Sequence, residues 1–202
     1  KELNWDPAPP QLKLGGKYYP GCGGVVLNPA SSEYKMVKTE FKGLRGIKRV
    51  VRLQNFALLQ NFSKYRESLQ KKLDEEATVT KAAAKKVQSK WGWHGSKTIE
   101  GYVNFCTTGP CKAYNTVCVH GEGTYFAEHP SYSLNYASSN LLLVAELALG
   151  EGYVDGSSND KSLPMKPNGV GFYDHFVGQQ SCTLWSLPND HAALPSYIVE
   201  YT

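Results

Sequence analysis

The sequence lacks any long apolar run and any leader of the secretory type. Its longest apolar stretch, residues 141–148, is far shorter than the ~20 residues that a helix needs to cross a membrane. A signal peptide would begin with a basic segment followed by an apolar one, and the chain does not open in that way. We therefore expect no membrane partner. The cysteine content, considered next, leads us to expect a place inside the cell, in the cytoplasm or the nucleus.

Cysteine is scarce and irregularly spaced. The chain has five cysteines: Cys22, Cys106, Cys111, Cys118 and Cys182. An odd, scattered set differs from the disulfide framework of a small secreted domain and favours a reducing compartment. Cys106, Cys111, Cys118 and His120 are of residue types that bind zinc. The two cysteines two residues apart that are typical of such sites are missing, so we expect no metal.

The chain also lacks a strong net charge. Its formal charge is +4, and 20% of its residues are charged, so composition does not indicate a nucleic-acid partner. The distribution is uneven, because residues 1–100 hold 19 Lys and Arg against 9 Asp and Glu, and residues 101–202 hold 3 against 9. This pattern indicates solvated helices and loops. The alternative is a basic surface that attracts an anionic dinucleotide or an acidic protein.

With 202 residues, 41% of them hydrophobic, the chain can bury a core of its own, and its length favours one domain. Prolines and glycine pairs predict little regular structure in residues 1–34. The pattern then predicts a helix and a turn within residues 32–48, a strand at 47–53, and a helix that Asn55 caps. Residues 74–90, rich in Ala, Lys and Glu, are predicted to be a solvated extension or a mobile connection.

From Trp91 onward the residue pattern indicates strands and loops. Residues 141–149 and 183–187 are predicted to be interior strands, residues 197–201 a closing strand, and residues 150–171 a long loop.

Three short motifs carry candidate chemistry: Trp93-His94-Gly95-Ser96, Gly121-Glu122-Gly123-Thr124-Tyr125-Phe126-Ala127, and Ser131-Tyr132-Ser133-Leu134-Asn135-Tyr136-Ala137. Each also has a structural interpretation. A lone histidine is usually part of the packing, the glycine turn lacks the spacing of a phosphate-binding loop, and tyrosines four residues apart on a helix usually pack in a core.

Taken together and in this order, the three motifs resemble the catalytic domain of the poly(ADP-ribose) polymerase family, the diphtheria-toxin-like ADP-ribosyltransferases. The similarity is greatest to the mono-ADP-ribosylating members found beside macrodomains. It extends to Trp5-Asp6-Pro7, residues 51–55, Tyr173-Asp174 and residues 194–199, and so spans nearly all of 1–202 as one domain. The resemblance implies an α+β fold in which two packed, mainly antiparallel sheets and flanking helices form a cleft for NAD⁺.

The resemblance also implies a role for each motif residue. His94 would hydrogen-bond a ribose hydroxyl of the adenosine half of NAD⁺. Gly95, through its backbone, and Ser133, by donating, would bind the nicotinamide carboxamide. Tyr136 would stack on the nicotinamide ring, and Tyr125 would close the pocket near the nicotinamide ribose. The neighbours of these residues in the motifs, which are Ser96, Phe126 and Ala127, are expected to line the same pocket.

The polymerising members add a glutamate on a late strand, and this chain departs from them there. Anchored on the closing segment at 195–199, the corresponding position is Leu184, and a shifted anchor would give Ser196 instead. Neither residue is a glutamate, so the resemblance implies transfer of one ADP-ribose to an acceptor protein or to the chain itself. An acceptor Glu or Asp could then supply its own carboxylate.

Two further departures concern the edge of the pocket. Glu122 stands where relatives usually carry lysine, and the donor loop, about residues 110–116, is short. Two other functions stay open: a catalytically silent module that binds NAD⁺ or a protein, and an NAD⁺ glycohydrolase in which water replaces the acceptor. Loss of His94 is expected to abolish turnover by either enzyme.

Overall fold

The computed structural model describes residues 5–115, 118–154, 156 and 160–202. Within these ranges the chain forms ten strands and four helices. The strands are β1 (Gln11–Leu14), β2 (Lys17–Val26), β3 (Ile47–Gln54), β4 (Gln88–His94), β5 (Thr124–Ala127), β6 (Leu141–Leu149), β7 (Gly152–Tyr153), β8 (His175–Gln179), β9 (Thr183–Leu187) and β10 (Ala193–Tyr201). The helices are α1 (Ser32–Glu40), α2 (Phe56–Thr80), α3 (Ile99–Thr108) and α4 (Pro130–Leu134).

Hydrogen bonds join the described strands in the order β1-β2-β3-β10-β6-β4-β5-β9-β8-β7. Neighbouring strands are antiparallel, apart from β7 and β8, which are parallel. The order has two arms, because β4 and β5 are joined by one residue pair only, Trp93 with Ala127. The predicted α+β class is confirmed, but the described strands form one hydrogen-bonded sheet where two packed sheets were expected.

The prediction of little regular structure in residues 1–34 is wrong, because β1 and β2 form a hairpin there. Gly15 and Gly16, at φ 54° and 82°, make the two-residue turn that glycine pairs favour. Pro20 lies in the irregular stretch of β2 between the paired residues Tyr19 and Gly23. Leu12 and Leu14 are fully buried, so the hairpin belongs to the main core.

The predicted α1, β3 and α2 are present, and two side chains fix the helix starts. The Ser31 hydroxyl accepts from the Tyr34 N–H at 3.2 Å, and the Asn55 side chain accepts from the Leu58 N–H at 3.2 Å. The Asn55 amide also donates to the Cys106 and Thr107 carbonyls. Asn55 therefore ties the start of α2 to the end of α3.

Residues 74–90 combine the end of one element with the start of the next. Helix α2 continues to Thr80 because Leu69, Leu73 and Ala77 extend its buried stripe at four-residue spacing. The expected extension is therefore present as far as Thr80. A connection follows up to Gln88, where β4 begins three residues earlier than the predicted change to strands.

The residue pattern after Trp91 predicted strands and loops and thereby missed α3. The Thr98 hydroxyl accepts from the Gly101 N–H at 3.0 Å and caps α3, and the buried Tyr102, Phe105 and Cys106 pack it on the sheet. The interior strands β6 and β9 have the predicted bounds, and β10 starts four residues before the predicted closing strand. In the part of the chain that the structure describes, no helix is both long and apolar enough to cross a membrane.

Candidate active site

One cleft of about 650 Å³ opens where the two arms of the sheet meet, at the end of β4 and along β5. It is lined by every residue that the motifs nominated: His94, Gly95, Ser96, Tyr125, Phe126, Ala127, Ser133, Tyr136 and Leu184. The single pair between β4 and β5 accounts for this convergence. Because β4 and β5 are antiparallel, His94 and Gly95, which follow Trp93, run alongside Phe126 and Tyr125, which precede Ala127.

Leu184 and Ser196, the two alternatives for the position of the glutamate in the polymerising members, lie in different places in the fold. Leu184 lies in β9, directly paired with Ala127 of β5 on one side and Gly178 of β8 on the other, and it lines the cleft. Ser196 lies in β10, where its hydroxyl donates to the Leu194 carbonyl at 3.0 Å, and it is not among the cleft residues. The apolar Leu184 is therefore the residue that forms this part of the cleft wall.

His94 ends β4, and its ring is held in one orientation. Its Nδ1 lies 2.9 Å from the Tyr125 carbonyl oxygen; since a carbonyl only accepts, Nδ1 carries the proton and Nε2 of the neutral ring is an acceptor. The rings of Phe105 and Phe126 pack against the imidazole with centroids at 4.9 and 5.7 Å. Burial lowers the pKa of His94 below its ordinary value, partly opposed by the Tyr125 hydrogen bond, which keeps the ring neutral.

Gly95 brings β4 against the short helix α4. A Cβ atom at Gly95 would lie 2.2 Å from the Ser133 carbonyl oxygen and 3.1 Å from the Ala137 nitrogen, so only glycine allows this approach. The buried Ser133 hydroxyl donates to the Trp93 carbonyl at 2.9 Å. To donate to a carboxamide in the cleft, as the resemblance implies, this hydroxyl has to rotate away from Trp93.

Tyr132 and Tyr136 stand side by side on and just after α4. Their ring centroids are 5.5 Å apart, and their hydroxyl oxygens are 3.2 Å apart. Tyr136 is 49% exposed. Tyrosines at this spacing usually pack in a core, but here the Tyr136 ring presents its face to the cleft. Burial is the largest of the causes that raise the pKa of Tyr132, which keeps its hydroxyl protonated.

The Tyr125 hydroxyl closes the glycine turn that leads into β5. It donates to the Gly121 carbonyl at 2.7 Å and accepts from the His120 N–H at 2.8 Å. Gly121 has φ 91°, a conformation that a side chain rarely adopts. Burial raises the pKa of Tyr125, so at neutral pH the residue acts through hydrogen bonds and its ring rather than as a phenolate.

The remaining motif residues shape the cleft: Ser96, Phe126 and Ala127. The Ser96 hydroxyl donates to the Thr98 carbonyl at 3.2 Å and accepts from the Thr98 N–H at 3.3 Å, which shapes the turn into α3. Phe126 and Ala127 are almost fully buried and form the floor beneath His94 and beside Leu184.

Glu122 and the short donor loop, the two departures at the edge of the cleft, contact each other. Glu122 pairs with Lys112 across 3.4 Å, and Lys112 lies in the 3₁₀ turn Lys112–Tyr114 of the donor loop. The loop therefore carries a cation opposite the acidic residue of the glycine turn. The Asn115 side-chain amide donates to the Gly123 carbonyl and fixes the loop to the same turn, whereas Thr116 lies outside the described residues.

The candidate zinc ligands do not form a cluster. Cys106 is fully buried in the core of α3, where burial raises the pKa of its thiol well above the ordinary value. Among the residues that the structure describes, no group of three or more His, Cys, Asp and Glu is arranged to hold a metal ion. All five cysteines are free.

Sequence reasoning missed several cleft residues. Asn104 and Phe105 line the cleft from α3, a helix that the residue pattern did not indicate. Gln180 and His120 meet in the cleft from segments sixty residues apart, with their Nε2 atoms at 3.3 Å, and no local motif brings them together. The sequence indicates His120 only as a residue of a zinc-ligating type, at a position where the family that the chain resembles usually carries tyrosine.

Comparison with known proteins identifies the family of the chain. Residues 31–174 match the family model described as the poly(ADP-ribose) polymerase catalytic domain, a range that includes His94, Tyr125, Ser133 and Tyr136 but ends before Leu184. Two relatives named "Protein mono-ADP-ribosyltransferase PARP12" are each 25% identical to the chain. The Homo sapiens protein aligns over 197 residues, which are 91% of this chain and 26% of the relative. The Mus musculus protein aligns over 213 residues, 98% and 27% respectively, so the chain spans about a quarter of the length of the curated relatives it matches.

Proposed function

Because the chain belongs to the family of poly(ADP-ribose) polymerase catalytic domains, we propose that it binds NAD⁺ in this cleft and transfers one ADP-ribose to an acceptor side chain, releasing nicotinamide. The acceptor is another protein or the chain itself. No metal takes part in the proposed reaction.

The grip on NAD⁺ is assigned to the end of β4 and to α4. His94 offers Nε2 as an acceptor, the state in which a ribose hydroxyl donates to it. The Gly95 backbone and Ser133 stand together where a carboxamide can bind both of them, and the exposed ring of Tyr136 is available to stack on the cationic nicotinamide. Tyr125 holds the turn that closes this end of the cleft. These groups position the glycosidic bond for attack, and the acceleration comes mainly from positioning.

Leu184 is the observation that carries the proposal of single transfer. It is 3% exposed and lies in the cleft wall between Ala127 and Gly178. In the polymerising members that the chain resembles, elongation relies on the negative charge of a glutamate at this position, and a leucine side chain carries no charge and cannot accept a proton. The site therefore adds one unit and stops.

We further propose that 1–202 act as one catalytic domain inside the cell. The first strands, β1 and β2, and the last, β10, all join the sheet through β3, so the first and last strands of the described chain belong to the same hydrogen-bonded sheet. The free state of all five cysteines suits a reducing compartment.

Incubation with NAD⁺ labelled in its adenylate half tests the proposal, with and without acceptor proteins, when both transferred label and free nicotinamide are followed. Transfer that stays at one unit per modified site supports it. Nicotinamide release without labelled protein would instead assign an NAD⁺ glycohydrolase. A thermal shift with NAD⁺ but no turnover would assign a silent binding module.

A further inference from the structure

The proposed grip on NAD⁺ leaves one imidazole of the cleft without a role, that of His120. Its backbone N–H donates to the Tyr125 hydroxyl at 2.8 Å, so the residue is anchored to the group that closes the cleft. Its side chain takes no part in that bond. The ring is half-buried and lines the cleft, where it is free to meet a bound molecule.

The ring of His120 occupies the space above Gly178 in β8. A Cβ atom at Gly178 would lie 2.3 Å from the imidazole Cδ2 and 2.6 Å from both Cγ and Nε2, so the glycine is what leaves room for the ring. Gly178 is the direct cross-strand partner of Leu184, and paired residues of antiparallel strands project from the same face of the sheet. The imidazole therefore stands beside Leu184, on the cleft face of β8 and β9.

A chain of hydrogen bonds orients this imidazole. The Tyr132 hydroxyl donates to Gln180 Oε1 at 2.9 Å, which turns the Gln180 amide nitrogen towards His120 Nε2 at 3.3 Å. An amide NH₂ only donates, so His120 Nε2 is the acceptor and the neutral ring carries its proton on Nδ1. This amide occupies the one lone pair of Nε2, so Nε2 becomes available as a base when an entering hydroxyl displaces the amide. The contact is long and exposed, so an entering hydroxyl can replace it.

The other ionisable groups of the cleft are placed differently. His94 has Nδ1 committed to Tyr125 and its ring packed between two phenylalanines, at the position assigned to NAD⁺. Glu100 is exposed in the first turn of α3, next to the Ser96 turn. His120 is the proton acceptor that the strand register sets beside Leu184.

We propose that His120 is a catalytic base for the incoming nucleophile and that the acceptor is a hydroxyl side chain. This inference rests on the proposed ADP-ribosyl transfer. In the step, the bond between the ribose C1 and the nicotinamide nitrogen breaks, and the electron pair leaves with neutral nicotinamide. The acceptor oxygen bonds to C1, and its proton passes to His120 Nε2 and then to water. A carboxylate acceptor has no proton to lose, so a base at this position has a use only when the nucleophile is protonated.

The test compares a serine peptide with a matched glutamate peptide, using labelled NAD⁺ and the whole chain. The wild type is expected to label the serine peptide through a bond that neutral hydroxylamine does not cleave. His120→Gln keeps a hydrogen-bonding side chain but no base at neutral pH. It is expected to lower serine labelling about 100-fold, the low end of the general-base effect, and to leave the thermal shift with NAD⁺ intact. His191→Gln, at an exposed histidine outside the cleft, is the matched control and keeps wild-type labelling.

A rescue experiment distinguishes a role of His120 as a base from a role in packing alone. In the double variant His120→Gln with Leu184→Glu, a carboxylate returns to the adjacent strand position, and serine labelling is expected to recover at least tenfold over His120→Gln. Unchanged serine labelling by His120→Gln, no recovery in the double variant, or a wild type that labels only the glutamate peptide would each overturn the inference while transfer itself stands. A wild type that releases no nicotinamide overturns the proposed transfer, and the inference with it.

Discussion

The two walls of the cleft differ in how far they follow the family resemblance. The first, here the donor wall, consists of His94, Gly95, Ser133 and Tyr136 and matches the family motif at every position. The second, here the acceptor wall, consists of His120, Gln180 and Leu184 and departs from it at His120 and Leu184. In the proposed function, the donor wall captures the dinucleotide, and the acceptor wall decides the fate of the ribose.

Gly95→Ala should produce the largest effect, because it damages the whole donor wall. The new methyl group meets the Ser133 carbonyl at 2.2 Å and pushes α4 away with Ser133 and Tyr136. A displacement near 1 Å costs about 100-fold, and a lost aromatic contact adds about tenfold, so nicotinamide release is expected to fall about 1000-fold. Thermal unfolding should show a loss of about 1–3 kcal/mol. Gly46→Ala is the control for a new methyl group outside the cleft, where it would meet only the Thr202 side chain.

His94→Ala comes next: the motif alone predicts that turnover is abolished, and misplacement of the dinucleotide by itself accounts for a loss of at least about 100-fold in nicotinamide release. The thermal shift with NAD⁺ should shrink as well, because the contact is made in the ground state. Unaltered turnover would show that the donor wall is wrongly assigned.

Acid should weaken the fold through buried neutral histidines on both sides of the cleft. The pKa of His94 is lowered, and that of His175 in β8 is lowered to about 4. Both histidines bind protons more readily in the unfolded chain. Their contribution to the free energy of unfolding is therefore complete above pH ~6.5 and decreases as the pH drops below that value. The expected loss for His175 approaches about 1.4 kcal/mol per pH unit between those two values. Denaturant titrations from pH 7 to 4.5 measure it, and His175→Gln should flatten the slope.

Tyr136→Ala should raise KM for NAD⁺ about tenfold, the value of an aromatic or cation–π contact of about 1.5 kcal/mol. The hydroxyl-free Tyr136→Phe keeps the ring and is the matched control. A large fall in kcat with unchanged KM would contradict the assignment of Tyr136 to nicotinamide stacking.

Glu122→Lys should have the smallest effect. It breaks the pair with Lys112 and restores the charge that relatives usually carry, at an edge where a half-exposed ion pair contributes at most about 1 kcal/mol. KM for the anionic NAD⁺ is expected to change less than about fivefold, and the change should shrink as salt is added. Lys112→Gln measures the other half of the pair.

The same contrast describes what the sequence could predict. The donor wall is made by short motifs at the end of β4 and around α4, so its residues are visible as local patterns, as are the Asn55 cap and the apolar strand β6. The acceptor wall depends on strand register. Gln180 and His120 meet only because β8, β9 and the glycine turn are brought together by residues far apart in the chain.

The hairpin of β1 and β2 shows a related limit. Its glycine pair is compatible with an irregular loop and with a tight turn. The tight turn forms because it lets Leu12 and Leu14 pack in the core. Local composition does not contain that contact. In α2 the sparse apolar residues beyond residue 73 were sufficient for a helix, because they remained on the same face as Leu69.

Mass spectrometry of the modified chain and acceptor after incubation with NAD⁺, followed by proteolysis and peptide mapping, tests the central claim most directly. If the chain transfers single units, every modified peptide gains the mass of one ADP-ribose. The mass added to each peptide stays the same with longer incubation or more NAD⁺. A ladder of increments on one peptide would contradict the role given to Leu184. The absence of any increment, with the NAD⁺ left intact, would contradict the proposed transfer altogether.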